Sequence, residues 1–593
     1  MPFEDADAAP HPDMPFAVRL VTATLQAAAL YLLMEAAAPM RAWPATEPRL
    51  FEPLLLIACY APLIVLLGIG HIGTRVLALW TGGAALILAG LGYHDAARER
   101  FIFNFVNQAM LSGPWPWFRL WLAVSAGLFV ANVLVTDTSL ERRPIPSYSR
   151  HFDTAWKQGF QLVFALIFVG LFWGVLELGA SLFSLIHIEF LRKLIQHRWF
   201  YVPATTLALA ASLHVTDVQP ALIRGARSIA LTLFSWLQPL LALIVAGFLV
   251  SLPFVSIELL WRTHFATSLL LTSQILMIFL INCWYQDGET EQANLTVKRF
   301  AAVTGALELP VLNLLAIWAL ALRIRQYGWS EERILAAALI LLTACYAISY
   351  ACSTPWRPVR LKRLEIGNFL AAYLSLALIL ALFSPLADPA RLMVADQVAR
   401  LRSGAIAADK FDFAALKFNG AKWGKEALDQ LSKDQTIADA AEVNDKAAKA
   451  LTQTNRFGLG PKPVEAGELA SHIRAVPEGH PIPDGLYEAI RASLSPIRPV
   501  CVMGSAVCVV RFVALRPGEP EAALFFGLNF DHLFEQDSEG KWSMTANLVG
   551  QIYCQITRHA TGEGSLTLEQ HAWPDVLIDG RRLTIIPPPP QCS

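Results

Sequence analysis

The chain has 593 residues, of which 55% are hydrophobic and only 16% are charged, and its mean hydropathy is +0.45. Soluble domains carry about a quarter charged residues, so this composition excludes an ordinary soluble protein and indicates an integral membrane protein. The formal net charge of −1 also excludes a strongly basic nucleic-acid-binding protein. We therefore expect the lipid bilayer, and no nucleic acid, as a partner.

The amino-terminal tail, residues 1–15, is acidic, and the first basic residue of the chain is Arg19. A cleavable signal peptide has a positively charged start and a cleavage site of small residues. We therefore expect the first apolar run to be retained as a membrane helix.

The segment 16–385 is dominated by long apolar runs. A helix needs about 20 predominantly apolar residues to cross the bilayer. The sequence therefore predicts a membrane all-α fold, a polytopic bundle of about eleven transmembrane helices. The runs lie at residues 20–38, 53–71, 74–93, 117–136, 160–187, 199–216, 228–254, 265–286, 300–322, 334–352 and 366–384.

The distribution of basic residues bears on the orientation of this bundle. Eleven crossings would place the two termini on opposite sides of the membrane. Lys and Arg are slightly more numerous in the loops on the amino-terminal side than in the loops on the other side. The positive-inside rule then favours a cytoplasmic amino terminus and an external carboxyl-terminal domain.

The part of the chain after the bundle has the composition of a soluble protein. Residues 386–455 show apolar residues at helical spacing, and Asp388-Pro389 is a typical helix start, so we expect a helical stalk. Residues 456–593 are predicted to form a strand-rich domain with a short helix near 484–494. The sequence thus predicts a soluble α+β domain after the bundle, with strands in PVCVMGSAVCVVRFVAL, EAALFFGLNF, KWSMTANLVGQIYCQI and RRLTII.

Four of the eight cysteines, Cys501, Cys508, Cys554 and Cys592, lie in this carboxyl-terminal region. An even set of cysteines in a small soluble region is typical of disulfides in an oxidising compartment. A turn at Gly504-Ser505 would place the first two opposite each other on a hairpin. Reduced cysteines in the cytoplasm are the alternative. A metal site is not expected, because the spacing lacks a Cys-x-x-Cys pair.

Two segments carry a resemblance to a known family. Residues 388–431, DPARLMVADQVARLRSGAIAADKFDFAALKFNGAKWGKEALDQL, and the loop 323–336, RIRQYGWSEERILA, resemble the domain-of-unknown-function family 4153 of bacterial membrane proteins. Trp329 and Ser330 replace the Leu-Thr of the family loop. The resemblance implies an integral protein of the bacterial inner membrane with a carboxyl-terminal extension, and it implies no activity. The matching residues are Asp388, Pro389, Gln397, Val398, Ala399, Arg400, Leu401, Gly404, Phe411, Asp412, Phe413, Leu416, Gly424 and Leu428.

Glu177 is an ionisable residue inside an apolar run, and such residues are functional candidates because their insertion costs a few kcal/mol. Gly170, Gly174 and Glu177 share one helix face. The glycines would permit close helix packing, so that Glu177 points at protein. The alternatives are a hydrogen bond that fixes packing, a carboxylate that reaches the headgroups, and a proton or ion role.

Glu308 is the second such candidate. It lies two residues before Pro310, which frees a backbone carbonyl, and Asn313 follows about one turn later. A carboxylate beside freed carbonyls is suited to contact a cation or a substrate. The alternative is a purely structural kink.

The sequence contains no phosphate-binding loop, dinucleotide fingerprint, nucleophile elbow or His-Glu-x-x-His pair. We therefore expect no cofactor, no metal and no catalytic residue. The sequence favours a non-enzymatic protein over an enzyme. The first functional hypothesis is an envelope sensor or interaction protein that displays a periplasmic domain to an envelope protein partner. The alternatives are a proton- or ion-coupled transporter or channel that uses Glu177 and Glu308, and an enzyme acting on lipid-linked substrates.

Overall fold

The computed structural model divides the chain into two compact units, residues 1–451 and 452–593, and each is described by itself. Most of the acidic tail lies outside the part of the chain that the structure describes. The described residues are 13–37, 42–99, 118–143, 145–254, 266–287, 296–353, 358–453, 473–476, 480–493, 508–515, 520–526, 531–537, 540–548, 576–578 and 581–583.

The first unit begins with twelve helices that form the bundle. They are α1 (Asp13–Ala36), α2 (Pro48–Gly68), α3 (Thr74–Ala97), α4 (Phe118–Glu141), α5 (Tyr148–Leu185), α6 (Phe190–Gln196), α7 (Arg198–Val218), α8 (Pro220–Ser251), α9 (Ala266–Tyr285), α10 (Thr296–Tyr327), α11 (Glu331–Ser353) and α12 (Pro358–Leu382).

Ten helices within the described residues are long and apolar enough to cross a membrane, namely α1 to α5 and α8 to α12. This confirms the predicted polytopic helical bundle. Large apolar side chains on the outside of the bundle, such as Leu166 and Val175 on α5, are more than half exposed in the isolated chain. Such side chains are suited to contact lipid.

The remaining predicted run, residues 199–216, forms α7. The Thr, Ser and His residues of α7 lower its hydropathy, which explains why α7 is not among the ten candidate membrane-spanning helices. It nevertheless lies antiparallel to α1 from end to end. Arg198, at its start, donates to the carbonyl of Met34 at 3.0 Å, and Asp217, at its end, forms an ion pair with Arg19 at 2.6 Å.

These contacts define two ends of the bundle. The end at which α1 begins is called the near end, and the end at which α1 finishes is called the far end. The starts of α5 and α12 and the ends of α9 and α11 meet at the near end, where Tyr148, Asn282, Tyr350 and Asn368 are joined by hydrogen bonds of 2.7–3.3 Å. The largest buried apolar cluster of the described residues joins α8 to α12 and contains Met277, Leu309 and Tyr350.

The segment 386–455, for which the sequence predicts a helical stalk, contains four helices that share one core. They are α13 (Pro389–Arg402), α14 (Phe413–Asn419), α15 (Ala421–Leu431) and α16 (Ala440–Thr452). Leu416, Leu428 and Val443 are buried together, and Ile334 of α11 belongs to the same cluster. We call these four helices the docked segment, because they contact the far end of the bundle.

The second unit contains helix α17 (Asp484–Ser493) and a five-stranded sheet. The strands are β1 (Ile473–Val476), β2 (Cys508–Val513), β3 (Ala522–Phe526), β4 (Asp531–Gln536) and β5 (Trp542–Leu548), followed by the separate pair β6 (Val576–Ile578) and β7 (Arg581–Leu583). In the sheet, β1 and β2 pair in parallel, and the others pair antiparallel in the order β1-β2-β3-β4-β5. The sequence predicted α17 and the strands β2, β3, β5 and β7, but it missed β1, β4 and β6.

Candidate functional site

Glu308 lies inside the bundle, on α10, and is only 6% exposed. Both of its carboxylate oxygens are buried without a hydrogen-bond partner among the described residues. An ionised carboxylate in such surroundings costs several kcal/mol, so it must bind a proton or a cation to be stable there.

Gln238 of α8 lies against the same stretch of α10. Its side chain is fully buried, and its amide oxygen and nitrogen both lack a partner within the described part of the chain. Its Nε2 atom is 3.4 Å from the position that a Cβ would take at Gly305, one turn before Glu308. The same position is 2.6 Å from Met277 Sδ of α9, so the glycine makes room for Met277 and, beside it, for Gln238. Gln238 and Glu308, both without a partner among the described residues, lie in neighbouring turns of the interface.

Each of these two helices contains a proline beside its polar residue. Pro239 follows Gln238 in α8, and Pro310 lies two residues after Glu308 in α10. A proline lacks the N–H that would bond the carbonyl four residues earlier, which is Ser235 in α8 and Ala306 in α10. The interface thus supplies a carboxylate, a side-chain amide and two backbone carbonyls that lack this helical bond.

Lys298 extends this polar set towards the near end. It is 7% exposed; its Nζ donates to Ser235 Oγ at 2.8 Å and lies 4.3 Å from the ring centroid of Trp236. The polar contact of α8 with α10 therefore continues from Gln238 to the beginning of α10.

Asn313 continues the set towards the far end. Its Nδ2 group donates to Gln274 Oε1 at 3.0 Å, to the carbonyl of Ile340 at 3.1 Å and to Thr343 Oγ1 at 2.9 Å. These bonds join α9, α10 and α11 and support a packing role for Asn313. From Lys298 to Asn313, α10 rises about 22 Å, which is most of the roughly 30 Å hydrocarbon core.

Gly170, Gly174 and Glu177 occupy a different environment. All three are exposed on α5, and within the described residues nothing lies within 4 Å of a Cβ placed at either glycine. Trp173 Nε1 donates to Thr205 Oγ1 at 3.1 Å, which places Glu177 level with the first turns of α7 at the far end. This position agrees with a carboxylate that reaches the headgroups. Packing of another chain on this face stays a hypothesis.

The sequence did not reveal a buried ion cluster at the far end. Arg98 is 1% exposed, and its guanidinium lies 3.1 Å from Glu331 Oε1 and 3.0 Å from Asp388 Oδ2. His94 Nε2 is 2.8 Å from the same Asp388 oxygen. The cluster therefore joins α3, α11 and the start of α13.

Asp388 has two roles in this cluster. Its Oδ1 atom accepts hydrogen bonds from the backbone N–H groups of Ala390 and Arg391, so it caps α13 as predicted. Its Oδ2 atom contacts Arg98 and His94. One side chain thus fixes both the start of the docked segment and its attachment to the bundle.

The docked segment also binds the loop between α10 and α11. Asp396 Oδ2 accepts from the backbone N–H of Trp329 at 2.8 Å, and Gln397 Nε2 donates to the carbonyls of Tyr327 and Trp329 at 3.0 and 2.9 Å. The two segments that carry the family resemblance therefore contact each other directly. That contact gives a physical reason why both are distinctive in the sequence.

The carboxyl-terminal cysteines are described only in part. Cys508 is buried in β2, whereas Cys501, Cys554 and Cys592 lie outside the described residues. A disulfide among these four stays a prediction. Over the described ranges, no group of three or more His, Cys, Asp or Glu side chains is arranged to hold a metal ion.

Ten apolar spans around a buried polar interface define a polytopic integral membrane protein. The chain belongs to the family described as "Domain of unknown function (DUF4153)", whose model matches residues 28–421. This match confirms the resemblance seen in the sequence. It extends from the second half of α1 to the end of α14, so it includes Glu308, Arg98 and Asp388. Comparisons with curated proteins and with solved structures returned no match.

Proposed function

We propose that this protein moves protons or monovalent cations through the interface of α8 and α10, with Glu308 as the group that binds them. The observation that carries the proposal is the burial of Glu308 with both carboxylate oxygens unpartnered among the described residues. A buried carboxylate without a protein cation beside it is suited to exchange a proton or a small cation.

The neighbouring groups support the same chemistry. A cation beside Glu308 could draw further oxygen ligands from the Gln238 side chain and from the carbonyls of Ser235 and Ala306, since broken helices supply such ligands in transporters. Lys298, near the start of α10, donates to Ser235, and Glu308 has no ion pair among the described residues. The proposed ion pathway and Glu308, the group that would bind the ion, therefore lie in the same interface between α8 and α10.

Glu308→Gln is expected to lower the flux at least tenfold, because glutamine keeps the size of the side chain but can neither carry a proton nor neutralise a cation. The full-length protein would be reconstituted in liposomes that enclose a pH-sensitive dye. A potassium diffusion potential would drive proton entry, and sodium uptake would be measured in parallel.

Glu177→Gln is the matched control, because Glu177 is an exposed glutamate on α5. It should leave both fluxes unchanged. Equal flux of the wild type and Glu308→Gln in both assays would refute the proposal, and so would a wild type without flux. Infrared spectra give an independent readout of the site: the Glu308→Gln variant should lack a protonated-carboxyl band that the wild type and Glu177→Gln share.

A second function is supported by the carboxyl-terminal part of the chain. The docked segment is attached at the far end through Asp388, and a separate unit follows it from residue 452. This arrangement supports an envelope sensor or interaction protein of a bacterial inner membrane, with the strand-rich unit in the periplasm and disulfides among its cysteines. The envelope partner would bind that unit.

Thiol labelling in intact cells tests this second function. An impermeant maleimide is expected to label Cys501, Cys554 and Cys592 only after reduction, whereas Cys508, which is buried in β2, should react only after reduction and denaturation. Cys352 is the internal control, because it is an exposed free cysteine at the near end and should stay unlabelled. Labelling of Cys352 alone would place the second unit in the cytoplasm and contradict the proposal.

A further inference from the structure

A basic pocket lies at the near end, apart from the Glu308 site. It encloses about 330 Å³ between the ends of α2 and α4 and the starts of α5 and α8. The described residues that line it are Leu67, His71, Thr136, Leu140, Arg150, Asp153, Thr154, Lys157, Gln158, Gln161, Ile223, Arg224 and Arg227.

The lining of this pocket has a strong excess of positive charge. Arg150, Lys157, Arg224 and Arg227 face a single carboxylate among its described lining residues, Asp153. That carboxylate is already paired with Arg227 at 2.5 Å. Of the other three cations, Arg150 lies 3.9 Å from Glu141 Oε1 and Lys157 lies 3.5 Å from Asp217 Oδ1, while Arg224 has no ion pair among the described residues. These long or missing ion pairs leave positive charge for an anion in the pocket. The first turns of α5 and α8 add the positive ends of two helix dipoles.

The wall formed by α2 and α5 is held in place by a buried network. Lys157 Nζ lies 2.7 Å from His71 Nε2 and 3.5 Å from Asp217 Oδ1, and Asp217 is itself neutralised by Arg19. Gln161 is 5% exposed and donates to the same Asp217 oxygen at 3.3 Å. Because Arg19 already neutralises the negative charge of Asp217, the positive charge of Lys157 remains at the wall of the pocket.

One ring nitrogen of His71 has no hydrogen-bond partner among the described residues of this wall. His71 Nδ1 is buried without a hydrogen bond within the described residues. His71 Nε2 lies 2.7 Å from Lys157 Nζ and 3.1 Å from Asp217 Oδ1. In the tautomer whose Nε2 accepts from Lys157, and in the imidazolium that donates to Asp217, Nδ1 carries a proton and is a donor. Thr136 and Gln158 also line the pocket, but Thr136 Oγ1 donates to the carbonyl of Asn132 and Gln158 Nε2 donates to Thr136 Oγ1, so these donors are engaged within the protein. A ligand with several acceptor oxygens matches the basic side chains and the donor at His71 Nδ1.

The position of the pocket also restricts the ligand. Leu67, Leu140 and Ile223 form its apolar side, at the level where the apolar spans end. This is the depth of phospholipid headgroups, and basic pockets between membrane helices bind anionic headgroups. Arginine is suited to phosphate because its planar fork donates two parallel hydrogen bonds.

We propose that this near-end pocket binds a phosphate group, with Arg150, Lys157 and Arg224 as its charge partners and His71 Nδ1 as a further donor. The phosphate has two possible sources with the same chemistry: the headgroup of an anionic phospholipid, or a soluble phosphate monoester. The pocket is independent of the Glu308 site and of the proposed transport.

The test is the thermal shift of the full-length protein in neutral detergent, since a ligand that binds the folded state raises its unfolding temperature. The probes are glycerol 3-phosphate, phosphatidylglycerol in mixed micelles and phosphatidylcholine as the zwitterionic reference. Arg150→Gln combined with Arg224→Gln is expected to weaken binding roughly twentyfold. Arg75→Gln combined with Arg363→Gln removes the same charge from exposed residues at the near end, outside this pocket, and should keep wild-type affinity.

Each outcome decides the proposal. Binding of both anionic probes, lost in the Arg150 and Arg224 variant, supports a phosphate site open to solvent. Binding of phosphatidylglycerol alone, lost in the same variant, supports a lipid site. Equal shifts with phosphatidylcholine, no shift with any probe, or equal losses in both double variants would overturn it.

Discussion

Replacing Arg98 with methionine is expected to release the docked segment, α13 to α16, from the bundle. The substitution removes the cation that lies between Glu331 and Asp388, both of which are buried. A buried ion group that loses one partner costs about 3–5 kcal/mol, because the remaining charges stay desolvated. Asp388 keeps His94 at 2.8 Å and Glu331 keeps Arg119 at 3.7 Å, so we expect the lower part of this range. Methionine keeps a long apolar side chain, so the effect comes from charge rather than from an empty space.

Tryptic cleavage within residues 403–453 of the detergent-solubilised full-length protein measures this release. Cleavage follows the population of the open form when opening is fast, so the Arg98→Met variant should be cut at least a hundredfold faster. Asp388→Asn combined with Arg98→Met should cost less than the sum of the single variants, because it removes one of the two carboxylates that Arg98 contacts.

Arg402→Gln, at the end of α13, is the control for removal of an arginine charge. Arg402 is half exposed and pairs with Asp434 at 3.3 Å at the surface, where an ion pair contributes about 0–1 kcal/mol. Its cleavage rate should stay near that of the wild type. An Arg98→Met variant that is cut at the same rate as Arg402→Gln would show that the cluster does not hold the segment.

The sequence predicted those parts of the fold that depend on local pattern. The apolar runs predicted the membrane-spanning helices, because length and composition decide whether a helix crosses a bilayer. Asp388-Pro389 gave the start of α13 because capping and the proline are local signals. The short edge strand β1 was missed, because its partner strand β2 is distant from it in the sequence.

The sequence predicted only half of the candidate site. Glu308 and Pro310 were recognised because a carboxylate and a proline are unusual in an apolar run. Gln238 was missed, since one glutamine in such a run gives no signal until its partner helix is known. The Arg98 cluster was missed for the same reason: Arg98 and Glu331 are separated by 233 residues.

Glycine at position 424 is expected to be indispensable for the docked segment, and Gly424→Ala should cost about 3 kcal/mol or more. A Cβ at Gly424 would lie 1.8 Å from the carbonyl oxygen of Leu416 and 2.7 Å from its carbonyl carbon. Both atoms belong to the backbone of α14, so no rotamer change relieves the collision. The junction of α14 and α15 would have to open.

Gly404→Ala separates this effect from ordinary backbone strain. Gly404 has φ +71°, and no atom of the described residues lies within 4 Å of its Cβ position. Alanine at this position is therefore expected to lower the stability only by the cost of a left-handed backbone conformation, about 1–2 kcal/mol. In the same tryptic assay, Gly424→Ala should be cut at least tenfold faster than Gly404→Ala. Equal rates would mean that α14 and α15 do not approach as closely as this, and the resemblance at Gly424 would need another cause.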